Sequence, residues 1–217
     1  LNFQLQLNKT ILNKVWRFAG GMLLISLVSS LNTQMDKIAI SRLLPIENLG
    51  HYTLAVSLAM GIIIFVNPIS TALLPRFTAL YSQGKIEGAT RIFNKTNLFV
   101  SILVFSIMIN MIFFSKVLIW ICTSDLNLAV LASVFLPFIA FGCGMLALQI
   151  IPFNIAIANG YTKLNNIMGI ISLLITIPGY WIVTIKIGAI GTAYIFSCVQ
   201  TILTFIYIYF INKKFLK

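Results

Sequence analysis

Runs of apolar residues, each long enough to cross a bilayer, alternate along this chain with short polar connections. Six can be read: Phe18–Ile40, Tyr52–Leu74, Leu98–Ile121, Leu126–Ala158, Ile167–Ile185 and Ile190–Ile211. A crossing takes about 20 mostly apolar residues. The hydrocarbon offers no water to satisfy the backbone, so each run must be helical. The pattern predicts an all-α polytopic membrane protein, with six transmembrane helices over 18–211. An interfacial lead-in (1–17) precedes them and a short basic tail (212–217) follows. The fourth run is too long for one straight crossing, and Pro137 and Pro152 lie inside it.

The connections have their own chemistry. Leu44-Pro45-Ile46-Glu47-Asn48-Leu49-Gly50-His51 begins near a proline and nearly closes on a glycine, which predicts a short turn between the first two spans. The longer link from Arg76 to Lys95 breaks at Ser82-Gln83-Gly84-Lys85, which predicts two short amphipathic pieces at the membrane surface. Lys186-Ile187-Gly188-Ala189-Ile190-Gly191 predicts a tight hairpin between the last two spans. The chain starts at Leu1 with no cleavable signal peptide in view, and is expected to be a piece of something longer.

Charge changes the picture. The 217 residues are 59% hydrophobic and only 9% charged, with a formal net charge of +11. On a soluble domain that charge would point to nucleic acid. Here Lys9, Lys14, Arg17, Arg76, Lys85, Arg91, Lys95, Lys163, Lys213, Lys214 and Lys217 fall in alternate gaps, on one face of the membrane. The other face keeps Arg42, Lys186 and, near a span end, Lys116. The positive-inside rule then places both chain ends in the cytoplasm, and no nucleic-acid partner is expected. Cys122, Cys143 and Cys198 have neither metal-ligand nor disulfide-framework spacing. The sequence contains no nucleotide-binding loop, no HExxH and no GxSxG. His51 sits in an expected turn, and the Gly84/Gly88 spacing falls in a polar loop, so neither carries chemistry.

The candidate chemistry lies among polar residues inside the spans. Ser26, Ser29, Ser30, Thr33, Asp36, Lys37 and Ser41 recur at three- and four-residue steps, one helical stripe that holds the only acid within a span. Two readings fit it. Either the stripe lines a transport path, since charge in hydrocarbon faces a bundle interior or a watery cavity. Or Asp36 pairs locally near the outer interface while Lys37 snorkels. Asn67-Pro68, with Ser70, Thr71 and Pro75, predicts a bent helix with hydroxyls near the freed carbonyl. Gln149, Pro152, Asn154 and Asn159 in span four, and Ser197, Gln200, Thr201 and Thr204 in span six, suit interhelical hydrogen bonds or a sugar path.

Several segments together resemble the polysaccharide and O-antigen flippases. They are Gln34-Met35-Asp36-Lys37, Ser41-Arg42-Leu43-Leu44 with Glu47-Asn48-Leu49-Gly50-His51-Tyr52, Leu74-Pro75-Arg76-Phe77, Tyr81-Ser82-Gln83-Gly84-Lys85, Ala158-Asn159-Gly160-Tyr161-Thr162-Lys163, and Lys186 through Ala193. The resemblance implies one six-helix lobe, the C-terminal one in its details, of a twelve-helix two-lobed transporter. It further implies translocation of an undecaprenyl-diphosphate-linked oligosaccharide across the bacterial inner membrane. Asp36, Lys37, Arg42, Asn67, Gln149 and Gln200 would then be the substrate-path candidates, with helix bends at Pro68 and Pro152. No enzyme activity, cofactor or metal is implied. The expected partners are the lipid-linked sugar, membrane lipid, and either the missing N-terminal lobe or a second copy. A Na⁺- or H⁺-coupled multidrug or metabolite exporter of the same fold, or a non-transporting membrane subunit, would fit the same pattern.

Overall fold

In the computed structural model, residues 9–215 are described, with the side chains of Val15, Trp16 and Phe18 onward. Residues 1–8 of the expected lead-in and 216–217 of the expected tail lie outside them. Ten helices follow one another: α1 (Lys9–Asn32), α2 (Met35–Leu43), α3 (Ile46–Ala59), α4 (Gly61–Ser82), α5 (Ile86–Phe113), α6 (Ser115–Thr123), α7 (Leu126–Ala132), α8 (Leu136–Ala158), α9 (Thr162–Ile187) and α10 (Ala189–Phe215). No strand occurs among the described residues. Five helical stretches are long and apolar enough to cross a membrane: Ile46–Ser82, Ile86–Phe113, Leu136–Ala158, Thr162–Ile187 and Ala189–Phe215. The chain is an all-α polytopic membrane protein.

The ends of these helices have identifiable causes. Gly84 and Gly160 both have positive φ, 70° and 66°, and each closes a helix with the same pair of bonds. The amides of Lys85 and Gly84 reach Leu80 O and Tyr81 O, and those of Tyr161 and Gly160 reach Ala156 O and Ile157 O. This is the left-handed helix stop that glycine permits without steric cost. Gly188 (φ 74°, ψ −163°) sits where side chains are excluded and forms the hairpin expected between α9 and α10. Asp125 caps α7, its Oδ1 accepting from the amides of Asn127 (2.7 Å) and Leu128 (3.2 Å).

Several boundaries differ from the sequence reading. The first span, Phe18–Ile40, is not continuous. Thr33 Oγ1 donates to the carbonyls of Ser29 (3.2 Å) and Ser30 (3.0 Å), a local bond that competes with the helix, and the chain turns at Thr33–Gln34 before α2. The connection Leu44–His51 is mostly helical: Pro45 is the N-cap of α3, so the proline starts a helix and does not open a loop. The amphipathic pieces expected at the membrane surface are the ends of α4 and the start of α5, long helices that flank the Gln83–Lys85 turn. The long fourth run breaks at Ser133–Phe135, and Pro137 lies in the first turn of α8. Pro68, Pro75 and Pro152 all sit inside continuous helices.

The packing centre is α8. In its most apolar stretch 61% of residues are buried, against 17–39% in the other four candidate spans, so α8 is wrapped by neighbours while the others face lipid on one side. Its main partners are α10, α4, α5 and α3, whereas α1 packs chiefly along α9. Two glycines permit the close approach. A Cβ on Gly142 would lie 2.5 Å from the Phe196 ring and 3.2 Å from Ser197 Cα, and one on Gly144 would lie 2.7 Å from Met108 Sδ. At one end of the bundle the Tyr81 hydroxyl donates to Phe215 O (3.1 Å), and Lys214 Nζ stands 3.4 Å from the Tyr161 ring centroid. These contacts gather the end of α4, the α8–α9 turn and the end of α10 into one basic end of the bundle.

Candidate functional site

Inside the helix cluster lies a cavity of about 180 Å³, lined from α1, α2, α3, α8, α9 and α10. Its polar lining includes Ser29, Asn32 and Thr33 of α1, Asp36 of α2, Tyr52 of α3, Gln149 of α8, Asn165 and Ser172 of α9, and Gln200 and Tyr207 of α10. Asp36 is the only carboxylate in that lining, and no lysine or arginine joins it. The side chain is 8% exposed. Its Oδ2 accepts from the Tyr52 hydroxyl at 2.8 Å and its Oδ1 from the Lys37 amide at 2.7 Å. Tyr52 is 1% exposed, and its ring meets Phe135 edge-on at 5.9 Å. Cys143 of α8 also lines the cavity.

Adjacent helical residues diverge by about a quarter turn, and this separates Asp36 from Lys37. The Lys37 ammonium donates to Thr33 O (3.1 Å) and Gln34 Oε1 (3.5 Å), away from the carboxylate. The polar stripe therefore splits. Ser29, Thr33 and Asp36 line the cavity, while Ser26 and Ser41 bond back to the carbonyls of Met22 and Ile38 on their own helices. Back-bonding of this kind satisfies a hydroxyl without forming a site.

Three of the six substrate-path candidates share the cavity: Asp36, Gln149 and Gln200. Gln149 Nε2 donates to Thr204 Oγ1 (2.6 Å) and Gln200 Oε1 (3.3 Å), and Thr204 Oγ1 donates to Met145 O (2.9 Å), so this network also ties α8 to α10. Arg42 is exposed in the last turn of α2. Asn67 and Pro68 are exposed in a shallow groove of α4 with Ile64, Thr71 and Ala72, separate from the cavity. Pro152 is buried in α8, and two residues on Asn154 Nδ2 donates to Ser70 Oγ (2.5 Å) and Ser70 O (3.1 Å) of α4. The two expected bend helices are thus stitched together beside their prolines.

Several lining residues escaped the sequence reading. Asn32 Nδ2 donates to Gly169 O (3.2 Å) and Ser172 Oγ donates to Asn32 Oδ1 (2.9 Å), which joins α1 to α9. Tyr207 donates to Asn165 Oδ1, while Asn165 Nδ2 is buried without a partner. Asn32 lay one residue before Thr33 on the recognised stripe. Asn165 fell just ahead of the expected start of span five, and α9 begins at Thr162. No group of three or more His, Cys, Asp or Glu able to hold a metal occurs among the described residues.

The helical membrane bundle thus encloses a polar cavity with one buried acid. Residues 22–182 match the MatE family, most of the chain, and the protein belongs to that family. Its members are transporters, exporters and flippases of the MOP exporter superfamily. No curated protein matches the chain.

Proposed function

We propose that the chain is one lobe of a two-lobed alternating-access exporter of the bacterial inner membrane, and that Asp36 is where the driving ion, H⁺ or Na⁺, binds. The observation that carries this reading is the buried Asp36 carboxylate on the cavity, held by the Tyr52 hydroxyl and the Lys37 amide, in a lining that contains no lysine or arginine. Charge this deep in a membrane protein is costly and marks ion pathways and proton relays. Lys37, the cation nearest in sequence, gives its ammonium to Thr33 O and Gln34 Oε1 and makes no hydrogen bond to the carboxylate. In transporters built from repeats, such sites lie where the lobes rock against each other. The second lobe, or a second copy of this one, completes the working unit.

Size bears on the cargo. Pockets for drug-sized ligands run to about 300–1,000 Å³, so a cavity of about 180 Å³ suits an ion with its water and not an oligosaccharide. For the substrate we propose the undecaprenyl-diphosphate-linked oligosaccharide that the resemblance implies, carried outside the lobe interior. The exposed Arg42, with its cation free of the cavity, supports this, because a guanidinium suits diphosphate oxygens. The test uses the full-length protein in proteoliposomes under imposed pH or Na⁺ gradients. A fluorescent lipid-linked sugar and a cationic dye serve as rival cargoes. Gradient-driven sugar movement that disappears in Asp36→Asn supports both proposals. Driven movement of the dye alone leaves the ion site standing and replaces the cargo with that of a multidrug exporter. Driven movement that survives Asp36→Asn rules out the ion site.

A further inference from the structure

The cavity does not stop at Asp36. It runs on to Asn165 and Tyr207, which are 6% and 2% exposed and close it toward the basic end. On α10 the lining runs from Phe196 to Tyr207, about three turns or roughly 16 Å of helix. A water needs roughly 10–15 Å³ of space, so a cavity of about 180 Å³ has room for several waters. Ser172, Gln149 and Gln200 along it offer the polar partners that ordered water needs.

The far end is shut by a defective bond. The Tyr207 hydroxyl donates to Asn165 Oδ1, yet Asn165 Nδ2 is buried with no hydrogen-bond partner. A buried donor left unpaired is unusual enough in a native structure to call for an explanation. Closing the pair costs that donor its hydrogen bond, and opening it to water returns one. One turn further along α10, Ile211 is fully buried. The opposite rim carries Ser29 and Thr33, both exposed, so Asp36 is reached from there without disturbing the pair.

We propose that Asn165 and Tyr207 form the inner plug of a water-filled proton path that starts at Asp36, and that opening the plug delivers the proton to the basic end of the lobe. This rests on the reading of Asp36 as the ion site, with H⁺ as the ion. In the step, the O–H bond of the protonated Asp36 carboxyl breaks and a bond to the adjoining water forms. Successive exchange of O–H bonds from water to water along the cavity then releases one proton beyond Tyr207 and leaves Asp36 as carboxylate, with nothing oxidised or reduced. The titratable groups around Asp36 are Lys37 on its own helix, Tyr52 on α3, Cys143 on α8 and Tyr180 on α9.

A path open at both ends must leak. Proteoliposomes of the full-length protein with a trapped pH-sensitive dye and an imposed pH gradient, without substrate, measure this directly. Tyr207→Ala should dissipate the gradient about tenfold faster than wild type, a barrier lowered by one decade in rate. Asn165→Ala, which opens the plug from the other helix, should do the same if one variant folds poorly. Adding Asp36→Asn to either should restore tightness. Tight vesicles with both single variants, or a leak that Asp36→Asn leaves unchanged, would overturn the plug. If Asp36→Asn abolishes gradient-driven export while the plug variants stay tight, the ion site stands and only the plug falls.

Discussion

The Asp36–Tyr52 bond is the contact on which the ion site depends, and a double-mutant cycle isolates it. Asp36→Ala leaves the Tyr52 hydroxyl without its acceptor at a position 1% exposed. An unpaired buried polar group costs about 1–3 kcal/mol. Tyr52→Phe keeps the ring against Phe135 (centroids 5.9 Å apart) and loses only the hydrogen bond. Side-chain bonds between membrane helices average about 0.6 kcal/mol and reach about 1.7 kcal/mol, but one acceptor here is a carboxylate, which favours the upper part of that range. The double variant removes donor and acceptor together, so most of the single costs should not add. We expect a coupling energy of about 1–2 kcal/mol. For a domain of this size about 1 kcal/mol moves the melting point by roughly 2–4 °C. The assay is thermal unfolding of the purified full-length protein in detergent, followed by size-exclusion fluorescence. Additive melting shifts would mean that the hydroxyl and the carboxylate do not meet, and the argument for a held, unneutralised acid would fail.

Further expectations follow from packing and topology. Gly142→Ala should destabilise by about 1–3 kcal/mol, because the added methyl would face Ser197 Cα at 3.2 Å, backbone that cannot swing aside. Gly50→Ala, with nothing within 4 Å, should be neutral or slightly stabilising in the same melting assay. Labelling should reach a cysteine placed at Asn48 from outside intact cells and one at Gln83 only after permeabilisation; the reverse would invert the topology drawn from the basic residues. Asn154→Leu should remove the tie to Ser70, and a melting point unchanged within error would show that this stitch between α4 and α8 contributes nothing.

Much of the fold was legible because lipid leaves few choices. The apolar runs had to be helices, and the stops at Gly84, Gly160 and Gly188 were visible as glycines between apolar runs. The ends were less legible. Pro45 reads equally as a loop or as a helix start, and only the structure shows that Ile46–His51 belongs to α3. The turn at Thr33–Gln34 is set by a hydroxyl bonding to carbonyls one turn back, which leaves no mark in the apolar pattern. Of the stripe of the first span, Ser29, Thr33 and Asp36 share the cavity face, while Lys37 turns away because neighbours in a helix face different ways. Asn165 and Tyr207 were missed because the boundary of α9 was set too late and because Tyr207 sits in a run of aromatics. Gln149 and Gln200 stood out as amides in apolar helices, and the structure brings them within 3.3 Å of each other.

The measurement that bears most directly on the central claim is ion-driven export by the reconstituted full-length protein carrying Asp36→Asn. The asparagine keeps the size of the side chain and can still accept from Tyr52, so the variant should express and melt close to wild type, within about 1 kcal/mol. Its accumulation of cargo against a gradient should fall to the level of empty vesicles under both a pH and a Na⁺ gradient. Accumulation at the wild-type rate under either gradient would contradict the account, and would make the buried carboxylate a structural acid only.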